Sequence, residues 1–148
     1  LGFVLNKPLE NMLEDIIEEF SNFDSQVYVG GPVENNTLHF LHRRPDLIPD
    51  GIQVTGDIYW GGDYENLKSA INYGNARPDD FKFFVGYSGW GPGQLNEELE
   101  ANSWIIVKGG RAAYIFDEEP EELWKTVLQN MGGKYRVFSN FPKDPRLN

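Results

Sequence analysis

The segment Gly86-Tyr87-Ser88-Gly89-Trp90-Gly91-Pro92-Gly93-Gln94-Leu95 leaves the backbone fewer choices than any other stretch of the chain. Glycines at 86, 89, 91 and 93 imply left-handed φ angles, or backbone lying so close to backbone that a side chain would be blocked. Tyr87 and Trp90 between them need burial or a ring to stack on. Pro92 sets the φ of a first helical turn, so the N–H groups from Gly93 to Asn96 would point outward at the positive end of a helix. A strand should enter this turn over Phe81–Tyr87, and a helix rich in Glu should leave it over Leu95–Ala101. Tyr87, Ser88, Gly89, Trp90, Gly91, Gly93 and Gln94 are therefore the candidate binding residues. They form an aromatic frame holding N–H, hydroxyl and amide groups, suited to an anion or carboxylate, or else a corner that packs the helix on the sheet.

The rest of the chain alternates strand and helix signals. Leu1–Leu5 reads as a buried strand ending at Asn6-Lys7-Pro8. Leu9, Met12, Leu13, Ile16, Ile17 and Phe20 then follow the i, i+3, i+4 rule of an amphipathic helix, with Glu10, Glu14, Asp15, Glu18 and Glu19 on the opposite, solvated face. Val27–Val29, Thr37–His42 and Asp57–Trp60 read as strands, and the prolines at 45 and 49 with Asp50-Gly51 mark a loop. Asp63 is an N-cap for a helix that turns Leu67, Ala70 and Ile71 inward and closes at Gly74. Trp104–Val107 reads as a buried strand joined by Gly109-Gly110 to a partner at Ala112–Phe116. Pro120 begins a last amphipathic helix carrying Leu123, Trp124, Val127, Leu128 and Met131, closed by Gly132-Gly133, and residues 141–148 form an irregular Pro-rich tail. Several strand pairs have connections too short for a parallel crossover, so a mixed sheet with helices around it is expected, an α+β fold.

One pattern occurs twice. Tyr28-Val29-Gly30-Gly31 and Tyr59-Trp60-Gly61-Gly62 each end a strand on two glycines, and each is followed by Glu-Asn. Gly30, Gly31, Gly61 and Gly62 are thus secondary candidates, as a pair of backbone nests for anions. The simpler reading is that strands ending at Gly-Gly are common, and Asp63 would repel an anion at its helix start.

Gly86–Leu95, followed by Glu97-Glu98-Leu99 and Ser103-Trp104, resembles the YqgE/AlgH family. So do Leu5-Asn6-Lys7-Pro8-Leu9, Gly30-Gly31-Pro32-Val33, Gly132-Gly133-Lys134-Tyr135 and the ending Leu147-Asn148, which together span the chain. The resemblance implies a single α+β domain over residues 1–148 whose mixed, bent sheet closes towards a pseudo-barrel with helices outside. It also implies roughly thirty further residues upstream, an N-terminal segment of the same domain that this sequence lacks. The function it implies is a transcriptional regulator label with no established catalytic residues.

Other chemistries find little footing. Gly86-Tyr87-Ser88-Gly89-Trp90 lies between a strand and a helix as a nucleophile elbow does. Its fifth position is Trp90 rather than Gly, however, and only His39 and His42 could serve as base. Those two histidines are three apart on a predicted strand and point to opposite faces, against a shared metal site, so no metal and no cofactor is expected. No phosphate-loop spacing occurs, and Glu97–Glu98 and Glu118–Glu119 read as solvated carboxylates. The 148 residues contain no cysteine, which removes thiol nucleophiles, and no apolar run long enough for a membrane helix. Net charge is −10, from 23 acidic and 13 basic residues, so the field repels a phosphate backbone. Arg43-Arg44, Lys134 with Arg136, and Lys143 with Arg146 are the local basic exceptions. A cytoplasmic interaction protein acting through an unknown protein partner is the first expectation, with direct DNA binding disfavoured. A small-ligand or anion-binding domain, or an unrecognised hydrolase, using Gly86–Leu95 is the alternative.

Overall fold

A computed structural model describes residues 1–141. In chain order it contains β1 (Pro8–Met12), α1 (Leu13–Ile16), β2 (Gln26–Val29), β3 (Val33–His42), β4 (Ile52–Thr55), β5 (Ile58–Trp60), α2 (Tyr64–Asn72), β6 (Phe81–Tyr87), α3 (Gln94–Glu100), α4 (Ala112–Phe116), α5 (Pro120–Met131) and α6 (Gly133–Phe138). The strands form one six-stranded sheet in the order β1-β2-β6-β3-β5-β4. Only β2 and β6 run parallel; every other neighbouring pair is antiparallel. The fold is α+β with a mixed sheet, as the spacing of strands and turns suggests. The sheet is open: β1 and β4 are its two edges, and closure to a barrel does not occur among the described residues.

β6 lies at the centre because it is apolar on both faces. Phe81 and Phe83 point to one side, where Leu13, Phe20, Phe23, Phe40, Ile48, Leu67 and Ile71 complete the larger core. Phe84 points to the other, with Leu41 and Ile58, covered by Phe3, Trp60, Ile115 and Phe116. Strands buried on both faces read as continuous apolar runs rather than as alternation. Lys82 interrupts the run: it is 5% exposed, and its ammonium lies 4.1 Å from the centroid of the Tyr28 ring.

Four expectations need correction. Residues 1–5 make no strand; Gly2 forms an isolated bridge with Ser88, and the Val4 N–H donates to Gly30 O at 2.8 Å. β2 and β6 end there, so only single rungs are available. The helix expected from Leu9 to Phe20 is replaced by an edge strand, a four-residue helix and a 3₁₀ turn at Glu18–Phe20. β2 supplies the competing partner, because β1 pairs with it at Pro8↔Tyr28 and Met12↔Gln26, and the Gln26 amide donates to Leu9 O. Most of the apolar set still turns inward, with Leu13 and Phe20 fully buried and Leu9, Met12 and Ile17 partly so, but Ile16 is exposed. The burial pattern holds except at Ile16, and the backbone conformation is overridden by the sheet edge, where a proline is tolerated.

The third correction is Trp104–Val107, which is neither a strand nor buried. The fourth is Ala112–Phe116, which is the helix α4 rather than its partner strand. Neither segment pairs with a strand among the described residues, and Ala112-Ala113 favours helix once no pairing is on offer. β4 and α6 have no counterpart in the sequence reading. The expectation for the tail at 142–148 lies outside the described residues.

Candidate functional site

The aromatic turn is built on a backbone crossing. Gly86 has φ +69°, and a Cβ there would lie 2.6 Å from Gly31 O. A Cβ on Gly31 would lie 2.2 Å from the carbonyl carbon of Tyr87. Real Cβ atoms never approach backbone that closely, so the ends of β2 and β6 meet only because both positions are glycine. Gly30 belongs to the same crossing, and its carbonyl accepts from Ser88 Oγ at 3.1 Å. The sequence thereby puts two candidate groups together: Gly30 and Gly31 form the floor against which Gly86–Ser88 turns.

Beyond the crossing the turn is held by its own side chains. Gly93 is the residue before α3, and the Gln94 amide oxygen accepts from the Gly91 N–H at 3.0 Å. Gln94 Nε2 donates to Glu98 Oε1 at 3.0 Å. The other oxygen of Glu98 accepts from two indoles, Trp90 Nε1 at 3.2 Å and Trp104 Nε1 at 2.8 Å. The rings stand edge-to-face with centroids 6.0 Å apart. These bonds, that from Trp104 above all, hold the Glu98 carboxyl below the usual carboxylate range. The charge fixed at the turn is therefore negative. Glu98 is no idle solvated carboxylate, contrary to its sequence reading. The signal that could have found it is its place four residues after Gln94, on a helix flanked by Trp90 and Trp104.

Trp90 and Trp104 overhang an open groove of about 470 Å³. Its walls are the segment Gly2–Asn6, Ser88, Trp104, Ile105 and Val107, and the face of α5 carrying Leu123, Trp124 and Leu128. Gly89 and Gly91 have looser surroundings than Gly86, with no atom closer than 3.5 Å to an added Cβ. Tyr87 is half-buried, its ring edge-on to His39 at 5.7 Å.

Gly61 and Gly62 stand elsewhere, on a second depression of about 390 Å³ with His39, Asp50 and Trp60. A Cβ on Gly62 would meet Ile48 and Pro49, whereas one on Gly61 would meet nothing. The two Gly-Gly pairs therefore have unlike surroundings.

Neither histidine hydrogen-bonds Ser88, whose Oγ donates to Gly30 O. His39 Nε2 pairs with Thr37 Oγ1 at 3.1 Å, and burial lowers its pKa. His42 Nδ1 accepts from the Arg44 N–H, so Nε2 carries the proton and donates to Gly61 O at 2.9 Å. Its ring stacks on Tyr59 and Phe81, and burial lowers its pKa too. The opposite facing of His39 and His42 is as the strand register requires. Among the described residues no cluster of His, Asp or Glu could hold a metal ion, and no helix is long and apolar enough to cross a membrane.

The Arg43-Arg44 patch is neutralised internally. Arg43 pairs with Asp80 at 2.9 Å and Asp117 at 3.3 Å, and lies over the Phe116 ring. Arg44 pairs with Asp46 at 2.8 Å and Asp80 at 3.5 Å. These bonds tie β3, β6 and α4 together and leave little positive charge to meet a phosphate.

Comparison with known proteins gives a consistent picture. A UPF0301 protein of Cytophaga hutchinsonii is 44% identical over 148 residues, 99% of this chain and 81% of that protein. One from Chlorobium luteolum is 40% identical, covering 100% of this chain and 78% of that protein. The solution structure of the AlgH protein from Pseudomonas aeruginosa superposes with a TM-score of 0.70 at 24% identity, over 96% of this chain and 77% of that one. The crystal structure of DIP2367 from Corynebacterium diphtheriae gives 0.67 at 16% identity, over 94% and 74%. These two likenesses establish the fold. The family model described as AlgH-like matches residues 1–136, and with relatives of this identity aligned along its length the chain belongs to the AlgH-like family.

Proposed function

We propose that this chain is a cytoplasmic interaction protein that acts on gene expression indirectly, by contacting another protein rather than by catalysis or by binding DNA. The observation that carries the reading is the apolar run Trp104–Val107. Trp104 is 46% and Ile106 53% exposed, beside the Trp90 groove. Contiguous exposed apolar surface of this kind marks interaction sites. The state of the turn supports the same reading: Ser88 Oγ bonds a carbonyl, and the Gln94 amide is engaged at both ends. The pairing of Arg43 and Arg44 with carboxylates, on a chain of net charge −10, disfavours nucleic acid.

The test replaces Ile106 with Glu in the cell. Transcript changes that depend on the protein should disappear with I106E while the purified variant stays folded and neither variant nor parent shifts DNA in a gel. A salt-dependent gel shift lost on Arg43→Ala with Arg44→Ala would refute the reading. So would reproducible turnover of an ester, phosphate or peptide, or fluorophosphonate labelling of Ser88.

The groove volume favours one second reading, a small-ligand site beside the turn. With Glu98 the charged group there, the ligand would be apolar rather than anionic. If no apolar compound raises the melting temperature, or if Trp90→Ala and Gln94→Ala leave such a shift unchanged, this reading fails.

A further inference from the structure

The connection from β3 to β4, residues 43–51, is pinned by one buried ring. His42, the last residue of β3, is 0% exposed. Its Nδ1 accepts from the Arg44 N–H at 3.1 Å, and its Nε2–H donates to Gly61 O at 2.9 Å. The first bond holds the start of the loop, the second the glycine that leads from β5 towards α2. Loop and glycine are also tied directly, since the Asp63 N–H donates to Pro49 O at 2.9 Å. Backbone closes over the ring: a Cβ on Gly51 would lie 3.2 Å from His42 Nε2 and 2.9 Å from Gly61 O. Tyr59 and Phe81 stack on its faces, each with centroids 5.8 Å away. A neutral imidazole has one donor and one acceptor, as these two partners require. A protonated ring has two donors, and its Nδ1–H would then confront the Arg44 N–H.

We propose that His42 is a proton-operated latch, and that protonation at Nδ1 releases the 43–51 loop from the Gly61–Asp63 connection. The closed loop excludes the proton, and the open loop, with the ring in water, takes it up. Release would lift Ile48, 1% exposed, from the larger core and reshape the depression lined by Asp50, Gly61 and Gly62. The charged and titratable groups on the elements around the ring are Tyr59 on β5, Asp80 just before β6, Asp63 before α2, and Arg43, Arg44, Asp46 and Asp50 on the loop. Asp46 draws the ring towards its charged form, but burial outweighs that pull. Carboxylates ordinarily titrate at about 4, phenols at about 10 and guanidiniums above about 12, so imidazole is the group among them that changes charge just below about 6.5. The chain has one other histidine, His39, which faces the opposite side of β3.

The experiment is hydrogen exchange on the purified protein from about pH 8 to about pH 5, corrected for the intrinsic exchange rate. It reads the amides of Arg44, Ile48 and Asp63, which are bonded to His42 Nδ1, Arg44 O and Pro49 O. The amides of β6 report global unfolding. The three loop amides should open together and more readily than those of β6. Their opening constant should be flat above about 6.5. Below that, the open form binds one proton more than the closed form, so the constant should rise about tenfold for each pH unit of fall, down to the folded midpoint. His39→Gln should leave this slope unchanged, and His42→Gln should abolish it. Where His42→Gln fails to fold, the slope in the parent and the titration of the His42 ring followed by NMR decide.

Four results would overturn the proposal. An opening constant that stays flat to pH 5 would mean that the proton does not act on the loop. Loop amides that exchange only together with β6 would mean that the loop has no opening of its own. A slope lost in His39→Gln or kept in a folded His42→Gln would assign the proton to another group. A midpoint for the His42 ring at or above 6.5 would mean that the closed loop does not exclude the proton.

Discussion

Lys82→Met should stabilise the protein at neutral pH. Lys82 is 5% exposed on the central strand, and burial alone pushes its ammonium down to about 8 from 10.5. At about 1.4 kcal/mol per pH unit, keeping the buried amine charged at pH 7 costs roughly 3 kcal/mol. The Tyr28 ring 4.1 Å away offsets about 1 kcal/mol of that through its contact with the cation. A methionine of similar length keeps the stem packing and needs no charge, so the expected gain is about 2 kcal/mol. For a chain of this size that is a rise in Tm of roughly 4–8 °C. The sign follows from proton counting. Between about 8 and 10.5 the unfolded chain binds the lysine proton and the folded one does not, so the parent gains stability as pH rises through that window. The variant lacks that gain. Urea unfolding of both proteins at pH 7 and pH 10 would therefore show a difference that shrinks towards the alkaline value. A Lys82→Met protein no more stable than the parent at pH 7, or a difference indifferent to pH, would refute the reasoning.

Other outcomes follow from the same structure. Gly31→Ala should cost upwards of about 3 kcal/mol, because its Cβ would lie 2.2 Å from the Tyr87 backbone, while Gly89→Ala stays within about 1 kcal/mol. Equal melting temperatures for the two variants would contradict the crossing. Glu98→Ala releases both indoles and should shift tryptophan emission to the red, whereas Glu98→Gln, with one acceptor oxygen left, should shift it less; identical spectra would remove Glu98 from its bridging role. Both histidines should titrate below 6.5 by NMR, since burial favours their neutral forms. Their contribution to stability is full above about 6.5 and lost as pH falls through the folded values. A midpoint above 6.5 for His42 would be incompatible with a buried ring whose Nδ1 accepts from the Arg44 N–H.

Much of the sheet was legible because its signals are local. Phe81–Tyr87 is an apolar run ending at a glycine, and Asp63 caps α2 by accepting from the Asn66 N–H at 2.9 Å. The α5 helix runs from Pro120 to Met131 with the glycines where its apolar stripe predicts. The failures are of another kind. Leu9–Met12 carries a helical stripe and becomes a strand because β2 offers a partner. Trp104–Val107 carries strand residues and yet pairs with no strand among the described residues. Both outcomes depend on what lies across space, which periodicity does not encode. At the turn, the glycines and rings could be singled out from spacing alone. The part played by Glu98 depends on Trp104 folding back over six residues, and only the assembled turn reveals it.

The crossing of Gly31 and Gly86 carries one more consequence. Side-chain size is quantised, and the step from hydrogen to methyl is the smallest substitution a glycine can undergo. Here that step already drives a Cβ to 2.2 Å from backbone at Gly31 and 2.6 Å at Gly86. The junction of β2 and β6 therefore has no gradient along which it could be tuned. A variant either keeps both glycines or must find another route for two strands at once, which makes this junction a fixed point about which the rest of the surface is free to vary.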